Sequence, residues 1–198
     1  LKGRKVKTCE VPVIFEAPLA PGLIGTFVQA VSGGALYRKS SFLLDALGQQ
    51  VFSPLVQISE RPFLPKAMGS SPFDDDGVAT RDREVVVDGV LQGYFLGTYS
   101  ARKLGMKSTG NAGGAHNLLV KSGEQDLAGL MKQMDRGLVV TEMLGHGVNT
   151  AFNTPLNGKL GIDDAAADSI DTLRLQQEVV VHEVDRPITV RFQILEFF

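Results

Sequence analysis

The stretch Glu84-Val-Val-Val-Asp-Gly-Val-Leu-Gln-Gly-Tyr-Phe-Leu96 decides the fold. It contains two runs of β-branched, aliphatic and aromatic residues, Glu84–Val87 and Val90–Leu96, separated by Asp88 and Gly89. An Asp-Gly pair between two such runs is typical of a tight β-hairpin turn, whose central residues need positive φ angles. The sequence therefore predicts an antiparallel hairpin near the middle of the chain.

Other strands and helices are predicted on both sides of this hairpin. Strand patterns cover residues 11–15, 50–60, 138–142, 178–184 and 187–198, whereas helical spacing of apolar residues covers 21–32, 124–136 and 163–176. Gly33 and Gly34 are expected to end the first helix, and Asp185-Arg186 to join the last two strands. Residues 40–47 fit a helix or a strand. The predicted class is α+β, mostly antiparallel β-sheet with a few packed helices.

Composition limits the class of protein. The 198 residues include 20 Lys and Arg and 22 Asp and Glu, giving a net charge of −2, which argues against direct nucleic-acid binding over the whole chain. No apolar run approaches the roughly 18 residues that a membrane helix needs. The single cysteine, Cys9, excludes an internal disulfide and favours a reducing compartment. Because the chain starts at Leu1, we expect it to be a piece of a longer protein.

The residues that most often carry chemistry form no strong motif. Glu142 and His146 lie four positions apart, but the preceding strand pattern separates them, and His182 and Glu183 point to opposite faces of a strand. Ser100, Ser108 and Cys9 lack the sequence context of a nucleophile. The run Asp74-Asp75-Asp76 could bind a divalent cation, but a turn or solvated loop is favoured because the alternating ligands of a calcium loop are missing. A basic lead-in at residues 2–7 is interpreted as a solvated terminus.

The glycine-rich segment Ser108–His116 is the best candidate binding site. Small residues there expose backbone N–H groups that could hold an anion or an extended peptide, although a purely structural loop is an equal alternative. The segment fits neither the phosphate-loop nor the dinucleotide pattern. The candidate residues are Ser108, Thr109, Gly110, Asn111, Gly113, Gly114 and His116.

Eight segments in fixed order resemble one known family. They are Val11-Pro-Val-Ile-Phe15, Ser32-Gly-Gly-Ala-Leu-Tyr-Arg-Lys-Ser-Ser41, Ser71-Pro-Phe-Asp74, Gly77-Val-Ala-Thr80, Asp88-Gly-Val-Leu91, Ser100-Ala-Arg-Lys-Leu-Gly105, Ser108-Thr-Gly-Asn-Ala-Gly-Gly114 and Gly137-Leu-Val-Val-Thr-Glu142. Together they resemble the C-terminal domain of the PmbA (TldE) branch of the TldD/PmbA family. The resemblance covers roughly residues 8–149, so we predict a PmbA-like domain over 1–149 and an unmatched tail over 150–198.

The resemblance implies a subunit of a cytoplasmic bacterial metalloprotease that processes peptides, in a family also named for modulation of DNA gyrase. A TldD-like subunit and a peptide substrate are the implied partners, with no membrane. In the TldD branch a His-Glu-x-x-x-His helix supplies two zinc ligands and the catalytic glutamate. Alignment through Gly34 and Arg38-Lys39 puts Gly25, Thr26 and Ala30 at those three positions.

The residues at the three motif positions determine whether this chain is expected to bind the catalytic zinc. Catalytic zinc normally needs three protein ligands and a base beside the bound water. The resemblance therefore implies no zinc and no catalytic residue in this chain, with zinc held by the TldD-like partner. The alternatives are a binding or structural domain without proteolytic role, and a self-sufficient hydrolase in which His116, His146 and His182 converge.

Overall fold

The computed structural model describes residues 4–5, 12–134, 136–141, 178–183 and 186–191. They belong to two compact units, one formed by Phe27–Ser122 and the other by described residues within Leu1–Thr26 and Gly123–Glu196. The helices are α1 (Ala20–Ala30), α2 (Gly33–Tyr37), α3 (Thr98–Lys103) and α4 (Leu127–Met134). The strands are β1 (Arg4–Lys5), β2 (Val13–Phe15), β3 (Ile58–Glu60), β4 (Arg83–Val87), β5 (Val90–Leu91), β6 (Leu118–Val120), β7 (Leu138–Val140), β8 (Glu178–Glu183) and β9 (Arg186–Arg191).

The predicted hairpin is present and its turn has the expected chemistry. Strands β4 and β5 pair antiparallel, with Val87 opposite Val90. Asp88 and Gly89 have φ angles of 49° and 76°, the positive values of the turn that matches strand twist. A Cβ at Gly89 would lie 2.1 Å from the Phe52 carbonyl oxygen. Glycine is therefore required there by both conformation and space.

The hairpin belongs to a four-stranded antiparallel sheet in the order β5-β4-β3-β6. Ile58 pairs with Val86 but Ser59 pairs with Glu84, so β4 carries one extra residue, Val85, in a bulge. The bulge interrupts the alternation of faces, and both Val85 and Val86 are fully buried. With this sheet the α+β class is confirmed.

Strand β5 is shorter than the predicted 90–96 because the chain changes partner after Leu91. The Phe95 N–H donates to the Val31 carbonyl at 3.1 Å, and the Phe95 carbonyl accepts from Gly33 N–H at 2.8 Å. The second half of the apolar run therefore pairs with the connection between α1 and α2. Its side chains still enter the core, since Tyr94, Phe95 and Leu96 are buried.

Tyr94 also determines the conformation of residues 40–47, which form turns instead of a helix or strand. Its hydroxyl donates to the Leu43 carbonyl at 2.8 Å and accepts from Ala46 N–H at 2.9 Å. A buried hydroxyl that satisfies two main-chain groups holds the segment without regular structure. Burial raises the pKa of Tyr94 above its ordinary value of 10.0, because desolvation disfavours the phenolate.

The expectation that Gly33 and Gly34 end the first helix is wrong in one respect. Helix α1 ends at Ala30, and Gly33 and Gly34 begin α2. Ser32 is extended, and its hydroxyl accepts from Ala35 N–H at 3.4 Å, so it caps the second helix. On α1, Phe27, Ala30 and Val31 just beyond it are buried, which agrees with the apolar face predicted from spacing.

The predicted strand at 50–60 is also too long, since only Ile58–Glu60 forms β3. The N–H groups of Val51 and Phe52 both donate to the Gly89 carbonyl, at 2.9 and 3.0 Å. This segment therefore wraps around the hairpin turn. Pro54 follows, and it has no N–H group that could donate a hydrogen bond to a neighbouring strand.

The other unit contains strand pairings of both orientations. Strands β2 and β7 pair parallel, with Val13 opposite Leu138, and β1 pairs parallel with β9; neither parallel pair was predicted. Strands β8 and β9 form the predicted antiparallel pair. Arg186, expected in the turn, instead pairs with Glu183. The helix predicted over 163–176 and the strand residues 192–198 lie outside the described residues.

Helix α4 confirms the helix predicted near 124–136, and it is exposed. None of its residues is buried, although Leu127, Leu130 and Met131 form the apolar stripe that predicted it. Within the described part of the chain, no helix combines the length and apolar character needed to traverse a bilayer.

Candidate functional site

Residues 108–116, called the glycine loop below, connect α3 to β6, and their polar side chains bond inward. The Ser108 hydroxyl donates to the Leu96 carbonyl at 3.1 Å, and the Thr109 hydroxyl accepts from Leu96 N–H at 2.7 Å. His116 Nε2 lies 3.0 Å from the Gly110 carbonyl oxygen. These candidate side chains shape the loop, so any surface it presents to a ligand is mainly backbone.

Asn111 attaches the glycine loop to a buried ion pair that sequence reasoning missed. Glu60, 1% exposed, accepts from Arg83 Nε at 2.6 Å. Its other oxygen accepts from Asn111 Nδ2 at 2.7 Å and from His116 N–H at 2.8 Å. Arg83 in turn donates to Asn111 Oδ1 at 3.1 Å. A buried charge persists only when paired and hydrogen-bonded, and here the loop supplies part of that pairing.

The acidic run supports the same loop from the other side. Asp74 is buried, and it accepts from Asp76 N–H at 3.0 Å, Val78 N–H at 2.8 Å and Ala112 N–H at 2.9 Å. The favoured interpretation of a turn is confirmed, but Asp74 is not solvated. The signal was available in the sequence, because an Asp followed by Gly77 three residues later is typical of a side-chain-supported turn.

A groove of about 340 Å³ lies against the glycine loop and is called the α2–α3 groove below. Helix α2 contributes Gly34 and Tyr37, the start of α3 contributes Tyr99 and Ser100, and the loop contributes residues 111–115. The volume is in the range of about 300–1,000 Å³ found for small-ligand sites. The structure thus places the predicted loop at a concave surface.

Two residues that line the groove must be glycine because each is close to a neighbouring side chain. A Cβ at Gly33 would lie 2.2 Å from Ser100 Oγ, so α2 and α3 meet at a distance that only glycine permits. Gly113 has a φ of 92°, and a Cβ there would lie 2.3 Å from Asp75 Oδ2. Substitution at either position would therefore displace neighbouring atoms as well as alter the groove.

Two residues of the loop combine a place in the groove lining with a main-chain N–H that has no acceptor among the described residues. The Gly110, Ala112, Gly114 and His116 N–H groups donate to Ser108 Oγ, Asp74 Oδ2, the Asn111 carbonyl and Glu60 Oε1, respectively. The N–H groups of Gly113 and Ala115, both of which line the groove, have no hydrogen-bond partner among the described residues. The loop therefore retains donors on alternate residues for a ligand.

Tyr37 and Tyr99 line the groove, and a cation lies against each ring. The rings of Tyr37 and Tyr99 pack edge to face, 5.6 Å between centroids. The Arg38 guanidinium lies 5.3 Å from the centre of the Tyr37 ring, and Lys103 Nζ lies 5.6 Å from that of Tyr99. Neither cation forms an ion pair with a described residue. We call these four residues the aromatic–cation rim.

The three residues that the resemblance aligns with the zinc motif do not fit a zinc ion. Gly25 has no side chain, and a Cβ built there would meet nothing within 4 Å. The Thr26 hydroxyl donates to the Gly22 carbonyl at 3.1 Å, and Ala30 is a buried methyl group. Zinc requires imidazole, thiolate or carboxylate ligands, and none of these three residues supplies one.

The remaining candidates do not assemble into a site in the described residues. Cys9, Glu142 and His146 lie outside them, and His182 and Glu183 are consecutive in β8. Within the described ranges, no three His, Cys, Asp or Glu residues are grouped so that they could share a metal ion.

The family was tested by comparison with known proteins. A family model described as the PmbA/TldA metallopeptidase C-terminal domain matches residues 8–164. The chain belongs to this family. The match extends past Asn149, where the resemblance in the sequence ends, and the division at that residue stays a prediction.

Individual relatives agree with this assignment. A metalloprotease PmbA homolog from Haemophilus influenzae is 54% identical over 162 residues, covering 81% of this chain and 36% of that protein. A structure from Bacteroides thetaiotaomicron, described as a candidate modulator of DNA gyrase, matches with TM-score 0.77 and 26% identity over 98% of this chain and 41% of that one. TldE from Thermococcus kodakarensis matches with TM-score 0.62 and 28% identity, over 74% and 36%. The chain spans about a third of the length of the curated relatives it matches.

Proposed function

We propose that this chain provides the PmbA-like part of a two-subunit metalloprotease and binds no zinc itself. A TldD-like subunit supplies the zinc and the catalytic glutamate, and the substrates are peptides in the cytoplasm. Membership of the metallopeptidase family supports the reaction class, and the relative named TldE supports the branch.

The observation that carries this proposal is the chemistry of Gly25, Thr26 and Ala30. The resemblance aligns these three residues of α1 with the zinc-binding helix of the TldD branch, and none of them can ligate zinc or act as a general base. Phe27 and Val31 of the same region are buried at 2% and 0% exposure. A helix that keeps its packing residues without metal ligands is what a non-catalytic subunit needs.

Elemental analysis and reconstitution test this proposal together. Purified alone, the chain should contain far less than one zinc per molecule and show no peptidase activity. Mixed with a TldD-like chain from the same organism, it should co-elute on gel filtration and raise peptide hydrolysis above that of the TldD-like chain alone. About one zinc per chain would overturn the proposal and make His116, His146, His182 and Cys9 the ligands to substitute.

The reconstitution also decides the alternative, a binding or structural domain without proteolytic role. Such a domain would contain no zinc but would neither co-elute with the TldD-like chain nor change its activity. A Thr26→Val variant is the matched control, because it removes the hydroxyl at the motif position while keeping the shape of the side chain. Its assembly and activity should equal those of the unaltered chain.

A further inference from the structure

We propose that the α2–α3 groove binds an extended peptide segment through main-chain hydrogen bonds to the glycine loop, with a carboxylate of that peptide seated at the aromatic–cation rim. The choice of a peptide as the ligand rests on the proposed function. The geometry of the groove supports the main-chain binding, and the charges of the rim support the carboxylate.

The donors of the groove favour a peptide main chain. Gly113 and Ala115 both line the groove, and the N–H group of each has no acceptor among the described residues. Alternate residues of an extended peptide present their carbonyl groups on the same side, so a segment laid along the loop can accept from both. Recognition through backbone groups needs no particular side chain on the ligand.

The walls leave room for a main chain to come close. Gly34 and Gly114 both line the groove. A Cβ at Gly114 would meet nothing within 4 Å, and one at Gly34 would meet only the end of the Arg38 side chain, at 3.4 Å. The space beside Gly114 is therefore open, and the space beside Gly34 is bounded by the flexible end of Arg38.

The positive charge of the rim favours a carboxylate on the bound peptide. Arg38 and Lys103 lie over the two tyrosine rings, and within the described residues neither has a carboxylate partner. Asp76, which also lines the groove, accepts from Thr98 N–H at 2.9 Å. Two unpaired cations on one rim complement a carboxylate, supplied either by an acidic side chain or by the peptide C-terminus.

The first test blocks the groove without disturbing its supports. Gly34→Leu places a side chain in the groove from α2, beside the flexible end of Arg38, and removing a helical glycine does not weaken the helix. Gly22→Leu is the matched control, because it makes the same change on α1 at an open position outside the groove. Thermal midpoints of both variants are measured first, to show that each is folded.

Binding is measured by fluorescence anisotropy with two mixtures of short random-sequence peptides, labelled at the N-terminus and amidated at the C-terminus. One position is fixed as Glu in the Glu mixture and as Gln in the Gln mixture. Gly34→Leu should weaken binding of the Glu mixture by about tenfold or more, the size expected when a central contact region is filled. Gly22→Leu should bind like the unaltered chain. Equal binding by all three proteins would overturn the proposal.

The second test addresses the rim. The unaltered chain should prefer the Glu to the Gln mixture by about two- to fivefold, as exposed ion pairs allow, and Arg38→Gln/Lys103→Gln should remove the preference. Arg102→Gln/Lys107→Gln removes the same charge from exposed residues off the rim and should retain it. A Gln mixture with a free C-terminus carries only a terminal carboxylate, so tighter binding of it than of the amidated Gln mixture would assign the rim to the peptide C-terminus. Loss of preference in the control pair, or no preference for any carboxylate, would overturn the rim assignment.

These assays separate this inference from the proposed function. If peptide binding depends on Gly34 but the chain does not co-elute with a TldD-like subunit, the groove assignment stands and the subunit role fails. If the chain assembles and raises hydrolysis while Gly34→Leu binds peptides normally, the subunit role stands and the groove assignment fails.

Discussion

Replacing Glu60 by Gln should destabilise the unit that carries the candidate site more than any surface charge change. Glu60 is 1% exposed and accepts three hydrogen bonds, from Arg83, Asn111 and His116. Glutamine keeps the shape but removes the charge, leaving the Arg83 cation, whose side chain is 11% exposed, without its partner. Breaking one side of a buried ion pair typically costs about 3–5 kcal/mol.

The measurement is urea denaturation followed by circular dichroism, with a control variant from the same sheet. At an m-value of about 2 kcal/mol/M, the midpoint should fall by roughly 2 M. Arg61 and Glu84 form the matched pair, with side chains 28% and 47% exposed. Glu84→Gln should therefore cost less than about 1 kcal/mol.

Two outcomes would refute this reasoning. If Glu60→Gln and Glu84→Gln shift the midpoint equally, burial does not control the strength of the pair. If the double variant Glu60→Gln/Arg83→Gln is less stable than Glu60→Gln alone, the unpaired Arg83 charge is not the main cost. We expect the second substitution to recover part of the lost stability.

Three further predictions concern other contacts of the same unit. Tyr94→Phe removes the hydroxyl that bonds to the Leu43 carbonyl and the Ala46 N–H, which keep only their mutual bond of 3.3 Å, and should cost about 0.5–1.5 kcal/mol. Because the folded state raises the pKa of Tyr94, the contribution of its hydroxyl is complete below about pH 10 and declines above it. This variant should therefore show a shallower alkaline loss of stability in pH-dependent denaturation. An unchanged alkaline slope would contradict this assignment. Asp74→Ala should speed hydrogen exchange at the Ala112 and Val78 amides, measured by NMR, since both lose their acceptor; protection equal to that of the unaltered chain would show that the carboxylate does not order the loop. Gly89→Ala should lower the thermal midpoint more than Gly22→Ala, because only the former combines a φ of 76° with a close contact.

Local signals in the sequence predicted the parts of the fold that depend on neighbouring residues. Asp88-Gly89 predicted the hairpin because its turn needs positive φ angles, and the spacing of Phe27 and Val31 predicted the buried face of α1. Glycine density between 108 and 116 predicted a loop, and the structure places that loop at a groove.

Contacts between distant residues explain what the sequence did not predict. Strand β5 ends early because Phe95 pairs with the main chain around Ser32, far along the sequence. Glu60 looked like an ordinary polar residue, since its partners Arg83 and Asn111 lie 23 and 51 positions away, and the bond from Ala112 to Asp74 spans 38 positions. Burial of a carboxylate becomes visible only when such partners are brought together.

The inward bonding of the glycine loop has a consequence for how the site can vary. Outside the glycines with positive φ, a surface made of main chain changes little with the side chain, because every residue except proline offers the same N–H and carbonyl. Variation would instead act through Glu60, Asp74 and Arg83, which hold the loop in place from beneath. Substitutions that alter ligand recognition would then lie in the interior, away from the residues that a ligand touches. Because the loop is already ordered, docking of a ligand costs little additional conformational entropy.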